Sequence, residues 1–407
     1  MPLLVPPGVH PNARVLVASR AVRAFGDGFV SLLLPYYLTL LGYTAFEIGV
    51  IVTATLLGSG LMTLAIGFLA HRIAADRLLR WACVLMIGSG VGITATTAFW
   101  PLLIVALMGT LNPSAGDVSV FYPLEQALLS HTAPPAQRTA LFARYSLVGA
   151  LVGAVGAQAA AVPQWLAGLA AVPLVTSIQA MFLLYALLGV ATLLLYRGLS
   201  MPPVKASTMA TPLGPSRRIV YQLAALFSLD SFAGGFAVQS LLALWLFQRF
   251  DLSVATAGSI FLVAGVLAAF SFPVAAWLAR RIGLVNTMVF THLPANVCLI
   301  LVPFMPTLEW ALFFLLVRFA LSSMDVPARS SYVMAVVTPA ERPAAASLTA
   351  VPRSLAAAVS PLFAGALLSA SPFGWPLVLC GALKIVYDVS LLYRFRHVRP
   401  PEEPSAL

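Results

Sequence analysis

Apolar residues along this chain come in long runs separated by short polar gaps. A helix rising ~1.5 Å per residue needs roughly 20 mostly apolar residues to cross the hydrocarbon layer of a bilayer. Twelve runs reach that length: 15–41, 47–70, 78–99, 102–129, 138–161, 175–196, 219–247, 253–279, 284–302, 308–337, 342–368 and 375–395. The pattern predicts an all-α membrane protein of twelve transmembrane helices.

The gaps carry the orientation signal. Arg14, Arg20 and Arg23 lie at the start of the first run, Arg72, Arg77 and Arg80 between runs 2 and 3, and Arg138 between runs 4 and 5. Arg197, Lys205, Arg217 and Arg218 lie between runs 6 and 7, Arg280 and Arg281 between 8 and 9, and Arg342 between 10 and 11. Arg394, Arg396 and Arg399 follow run 12, and the alternate gaps hold only Arg249. Lysine and arginine accumulate on the cytoplasmic side of membrane proteins, so both termini are expected in the cytoplasm. An even number of spans requires the same. The expected location is the cytoplasmic (inner) membrane, with the proline-bearing N-terminus a cytoplasmic tail and not a cleaved signal.

Composition sharpens this reading. Hydrophobic residues make up 60% of the chain and charged residues 9%, against about 25% charged in soluble domains. The lipid bilayer is therefore the expected partner of most of the surface. The net charge of +10 could suggest nucleic acid, but its confinement to alternate gaps argues against a nucleic-acid partner. Cys83, Cys298 and Cys380 sit in separate apolar runs and read as small core hydrophobes. No nucleotide-binding loop, catalytic triad or metal-ligand spacing is evident, so neither a cofactor, a metal nor an enzyme activity is expected.

The longest polar stretch, 197–218, falls near the middle of the chain. The expected organisation is an N-terminal half (1–200), a cytoplasmic linker (201–217) and a C-terminal half (218–407). The halves also share short matches. Phe68–Ile73 resembles Trp277–Ile282 at an offset of 209; Asp117-Val118 matches Asp325-Val326 at 208, and Gly28-Phe29 matches Gly235-Phe236 at 207. A nearly constant offset over several spans argues for duplication into two six-helix halves of one topology, a known transporter plan.

Six plus six spans, a basic central linker and cytoplasmic termini resemble the major facilitator superfamily. That family carries a signature between spans 2 and 3, G-x-L-A-D-R-x-G-R-[RK]. Here the stretch runs Gly67-Phe68-Leu69-Ala70-His71-Arg72-Ile73-Ala74-Ala75-Asp76-Arg77. Gly67, Leu69, Ala70 and Arg72 match, and Arg77 fits the basic end; His71 replaces the aspartate. In the second half Leu278, Ala279, Arg281 and Gly283 match, with Arg280 at the aspartate position. The resemblance implies a secondary transporter, sufficient as a monomer, that moves a small-molecule substrate by alternating access around a cavity lined by spans 1, 4, 7 and 10.

Charges inside spans are costly, about 2.5–3.5 kcal/mol each at the bilayer centre, so they mark functional candidates. Counting inward along the helices, Asp27, Asp117, Asp230 and Asp325 fall at similar depth, one on each span that the resemblance assigns to the cavity. They are the candidates for proton coupling, with Asp27 and Asp325 favoured. The competing reading is structural ion pairing, since Arg23 and Asp27, Asp325 and Arg329, and Lys384 and Asp388 are each four apart and share a helix face. Glu125, after Pro123, reads as a gate residue or simply interfacial. Arg318 has no acid within four residues and is a candidate anchor for an anionic solute or a cross-helix pair. Tyr36, Phe121, Tyr122, Phe236 and Trp245 are candidate contacts for a hydrophobic or amphipathic solute. His292 and Met288 are too few for a metal site, and His292 reads as part of a polar packing cluster with Asn296. Gly149, Gly153 and Gly156 read as close helix packing. The expected function is proton-coupled efflux of a hydrophobic or amphipathic compound. The alternatives are proton-coupled import of an organic anion or nutrient, and a non-transporting receptor.

Overall fold

A computed structural model describes residues 9–69, 73–114, 119–130, 132, 135–170, 172–199, 214–338 and 341–396. All regular structure among them is helical. A backbone surrounded by lipid must satisfy its own hydrogen bonds, and the helix does this within one segment. Sixteen α-helices follow the predicted runs: α1 (Asn12–Leu40), α2 (Ala45–Leu69), α3 (Ala75–Ala95), α4 (Phe99–Met108), α5 (Phe121–Ser130), α6 (Pro135–Ala159), α7 (Val162–Ala170) and α8 (Leu174–Arg197), then α9 (Arg217–Gly235), α10 (Gln239–Phe250), α11 (Val254–Ile282), α12 (Leu284–Leu301), α13 (Leu308–Ser322), α14 (Asp325–Ala335), α15 (Arg342–Ala370) and α16 (Trp375–Phe395). Nine stretches among the described residues are long and apolar enough to cross a membrane. Large apolar side chains remain exposed along them, including Trp81, Trp165 and Phe270, as expected where lipid is the solvent.

Three expected spans are broken. Run 4 divides into α4 and α5, run 7 into α9 and α10, and run 10 into α13 and α14. Gly109 and Pro113 lie in the first break, Gly235 ends α9 at the second, and Ser323-Met324 separate the third pair. Each break frees backbone groups from the i→i−4 ladder, which is tolerated at membrane depth only where protein or a water-filled cavity surrounds it. Asp325 thereby becomes the first residue of α14, where the helix dipole favours a carboxylate.

The chain forms two compact units. Unit 1 comprises Met1–Ala206 with Val238–Gly265, and unit 2 comprises Ser207–Ala237 with Val266–Leu407. Within unit 1, α1 packs on α6 and α3 on α8; within unit 2, α9 packs on α15 and α12 on α16. The same pairs of runs meet in each case, 1 with 5 and 3 with 6 matching 7 with 11 and 9 with 12. Glycine fixes the crossings. A Cβ on Gly28 would run into the Gly153 carbonyl, and one on Gly156 into that of Phe25, so α1 and α6 are in backbone contact. A Cβ on Gly235 would strike Ser360 of α15. The step from Gly28 to Gly235 and the step from Gly153 to Ser360 are both 207 residues, so the repeat read from sequence marks equivalent contacts.

Candidate functional site

In each unit a buried charge links the first helix to the fourth run. In unit 1, the Arg23 guanidinium on α1 donates to Glu125 on α5, and the hydroxyls of Tyr145 on α6 and Tyr196 on α8 donate to the same carboxylate. Arg23 lies 4.2 Å over the Phe121 ring, which stacks on Tyr196 at 6.5 Å. Glu125, read from sequence as a gate residue or simply interfacial, is 0% exposed and forms a buried hub. Arg23 also takes Glu125, not Asp27, as its ion-pair partner. The helix crossing brings a carboxylate nearer than the neighbour one turn along. Asp27 accepts a hydrogen bond from the Asn112 side chain at 3.4 Å, and Arg20 lies 5.5 Å over Tyr145.

Unit 2 holds a larger network at the meeting of α9, α12, α14 and α16. Asp230 on α9 accepts from Arg329 at 2.8 Å through one oxygen and from Lys384 at 2.6 Å through the other. Arg329 also donates to Asp325, one turn before it on α14. On α12, Nδ1 of His292 lies 2.9 Å from one oxygen of Asp388, and the Asn296 amide donates to the other at 2.9 Å. Nε2 of His292 points toward Asp230 at 4.0 Å. The pairing of Lys384 with Asp388 expected from their spacing is not made: Lys384 is an ion-pair partner of Asp230, while Asp388 is held by α12. Arg329 lies over the rings of Phe227 and Tyr387, part of an apolar shell that also includes Met288 and Leu391.

The other candidates separate. Arg318 on α13 is half-buried, stacks over Phe319, and has no partner for its buried Nε among the described residues. Tyr36 packs edge-on to Phe247, and Tyr122 lies tilted against Tyr145; both are half-buried. Phe121, Phe236 and Trp245 are buried. Phe121 is wedged between Arg23 and Tyr196, Phe236 packs on Phe232, and Trp245 on Phe250. These three, expected to contact solute, are packed against those neighbours. Asp117 and Arg72 lie outside the described residues. Gly67 falls in the last turn of α2 and Arg77 in the first turn of α3. Arg281 stacks over Trp277 at 4.6 Å. Gly283 begins α12 from φ 85°, a conformation that only glycine adopts readily. The three cysteines are free thiols, with Cys83 and Cys380 buried.

A profile described as Major Facilitator Superfamily matches residues 16–324. The chain belongs to this superfamily. A curated relative, the uncharacterized membrane protein YJR124C of Saccharomyces cerevisiae, is 24% identical over 421 residues, covering 94% of each chain. Solved structures of the superfamily superpose over nearly the whole length. A bacterial homologue of the human lysosomal transporter Spinster, in an inward-facing and occupied conformation, matches with a TM-score of 0.74 at 14% identity, covering 94% of this chain and 96% of that one. The nucleoside transporter NupG matches with a TM-score of 0.69 at 13% identity, covering 95% and 99%. These likenesses establish the fold, and the profile match establishes the superfamily.

Proposed function

We propose that this superfamily member is a proton-coupled secondary transporter that moves a small organic solute across the cytoplasmic membrane by alternating access, with both termini in the cytoplasm. The observation that carries the reading is the set of ionisable side chains buried inside membrane helices of both units. A charge in such a place is expensive unless it is paired or does work, and the networks tie together helices that alternating access must move. The two halves, 1–200 and 218–407, act as the rocking elements, each organised by an ion pair between its first and fourth runs. The broken runs supply backbone groups able to meet a solute near the midplane.

The solute class we favour is hydrophobic or amphipathic, exported from the cell. The half-buried Tyr36 and Tyr122 offer aromatic faces with a polar tip, and in-span amides are few. A second reading, uptake of an organic anion, has its own support in Arg318, a half-buried guanidinium whose Nε lacks a partner among the described residues.

The test uses purified protein in liposomes loaded with a pH-sensitive dye. Lipophilic cations, organic acids, sugars and amino acids are added in turn. Export coupled to protons predicts a pH change with amphipathic compounds. A response to acids that Arg318→Gln abolishes transfers the assignment to anion uptake. Binding without flux of any compound would indicate a receptor.

A further inference from the structure

The two buried networks differ in charge balance. Among the described residues, which do not include Asp117, the buried charges of unit 1 are Arg20, Arg23, Asp27 and Glu125, two of each sign. Those in the spans of unit 2 are Asp230, Asp325 and Asp388 against Arg329 and Lys384, one carboxylate too many. A low-dielectric interior penalises an unbalanced charge by several kcal/mol. One further group there can take a positive charge: His292, 3% exposed.

The geometry fits a ring that holds two protons. Nδ1 faces a carboxylate oxygen of Asp388 at 2.9 Å, and Nε2 faces Asp230 across 4.0 Å. Asp388 has Asn296 on its second oxygen, so each of its oxygens has a donor when Nδ1 donates. Nε2 is where the proton arrives and leaves. The oxygen of Asp230 that it faces also receives Lys384. Nε2 therefore stands beside a carboxylate–ammonium pair, where an added proton meets the Asp230 charge across 4.0 Å.

The groups around His292 are accounted for element by element. α9 contributes Asp230, α14 contributes Asp325 and Arg329, and α16 contributes Lys384, Asp388, Tyr387 and Cys380. The Tyr387 ring meets the imidazole edge-on at 6.1 Å, and its hydroxyl is buried without a partner among the described residues. α13 contributes Arg318, which forms no ion pair with a described carboxylate, and Glu309 at its outer end. Arg318 is a half-buried span cation that could restore the balance from a distance, so it competes with the proton.

We propose that unit 2 contains an exchangeable proton site on His292, clamped between Asp388 and Asp230, and that this proton is the coupling ion. The last clause rests on the transport reading above; the proton site does not, so the test reads the imidazole directly. Full-length protein is labelled with ¹⁵N-histidine and placed in nanodiscs. His10, His71, His131 and His397 are replaced by Gln, leaving His292 as the single histidine. At pH 7 the expected spectrum shows both ring nitrogens protonated, and Asp388→Asn, which removes the surplus negative charge, returns the ring to one proton. A ring with one proton in the parent would overturn the site and assign the balance to Arg318. A doubly protonated ring unchanged by Asp388→Asn would overturn the charge argument. If Asp388→Asn does not fold, Arg318→Gln serves instead: with His292 already carrying the balancing charge, the ring stays doubly protonated. Loss of the second proton in Arg318→Gln would overturn the assignment. A doubly protonated ring in a protein whose flux carries no protons supports the site and removes only its coupling role.

Discussion

Unit 1 ties α1 to α5 through Arg23 and Glu125, and unit 2 ties α9 to α14 through Asp230 and Arg329. Arg23 and Asp230 are 207 residues apart, the offset that relates the glycine crossings, and Glu125 and Arg329 are 204 apart. The two units thus place an ion pair between corresponding helices with the signs reversed; the first partners share the repeat offset and the second lie about one turn from it. What surrounds the pair differs more. Glu125 is finished by two tyrosine hydroxyls, neutral donors that complete the carboxylate, and among the described residues the buried charges of unit 1 are even in number. Asp230 is surrounded by further charges, and the same count in the spans of unit 2 is odd. A closed pair holds helices together; an odd cluster can also exchange a proton. The duplicated scaffold has kept the mechanical link in both units and placed the exchangeable charge in one.

The largest expected effect comes from breaking the closed pair. Glu125→Gln leaves Arg23 buried without a counter-charge and should cost about 3–5 kcal/mol of stability, read as a lowered melting temperature in detergent. Removing both charges, as in Arg23→Met with Glu125→Leu, should restore most of it. If the single substitution melts like the parent, the pair contributes nothing and the comparison fails on its first side.

The glycine crossings give the next effect. Gly28→Ala pushes a Cβ into the Gly153 backbone carbonyl and meets only backbone, whereas Gly235→Ala meets the Ser360 hydroxyl first and the Ala357 carbonyl after it. Overpacking of this kind costs about 1–3 kcal/mol. The Gly28 substitution should sit at the upper end, because backbone yields less than a rotatable hydroxyl. Ser360→Ala should relieve the Gly235 variant in part, while no side-chain change on Gly153 can relieve the other.

Asp388→Asn should be mild, within about 1 kcal/mol of the parent, since it removes the surplus carboxylate and leaves the amide contact with Asn296 possible. A loss as large as that of Glu125→Gln would mean that Asp388 is one half of a closed pair, erasing the difference between the units.

The smallest effect lies outside the spans. Glu341, at the start of α15, accepts hydrogen bonds from the hydroxyls of Ser216 and Thr338 at 2.6 Å each and from the Gly214 N–H. The Ser216 and Thr338 hydrogen bonds hold its carboxyl below the ordinary glutamate range, to about 2. A depressed carboxylate contributes stability that is complete above the unfolded value of ~4.3 and is lost as pH falls toward the folded value. Melting should therefore fall slightly between pH 5 and pH 2, and Glu341→Gln should remove that part of the slope.

Much of the fold was legible because lipid imposes strict rules on sequence. Run length gave the helices, and the repeat offset identified glycines that the structure places at equivalent crossings. The breaks in runs 4, 7 and 10 were harder to see, since a short glycine- or serine-bearing interruption barely alters mean hydropathy. Of the site, the charged residues were visible, because each stands out in an apolar run. Their partners were not. Spacing of four suggested Arg23 with Asp27 and Lys384 with Asp388, but crossing helices brought Glu125 and Asp230 closer. Tyr145 and Tyr196 carried no signal at all, as nothing in the position of a tyrosine along a run shows which carboxylate its hydroxyl meets. His292 and Asn296, four apart, did mark one polar face; that Asp388 would lie opposite depended on how α12 meets α16.

The central claim, that unit 2 and not unit 1 carries the coupling proton, is tested most directly in proteoliposomes holding a pH-sensitive dye, once a transported compound has been found. The account predicts that His292→Gln loses solute-driven pH change and uphill accumulation but keeps downhill exchange, while Asp27→Asn keeps all three. Retention of the pH change in His292→Gln together with its loss in Asp27→Asn would contradict the account and move the proton to unit 1.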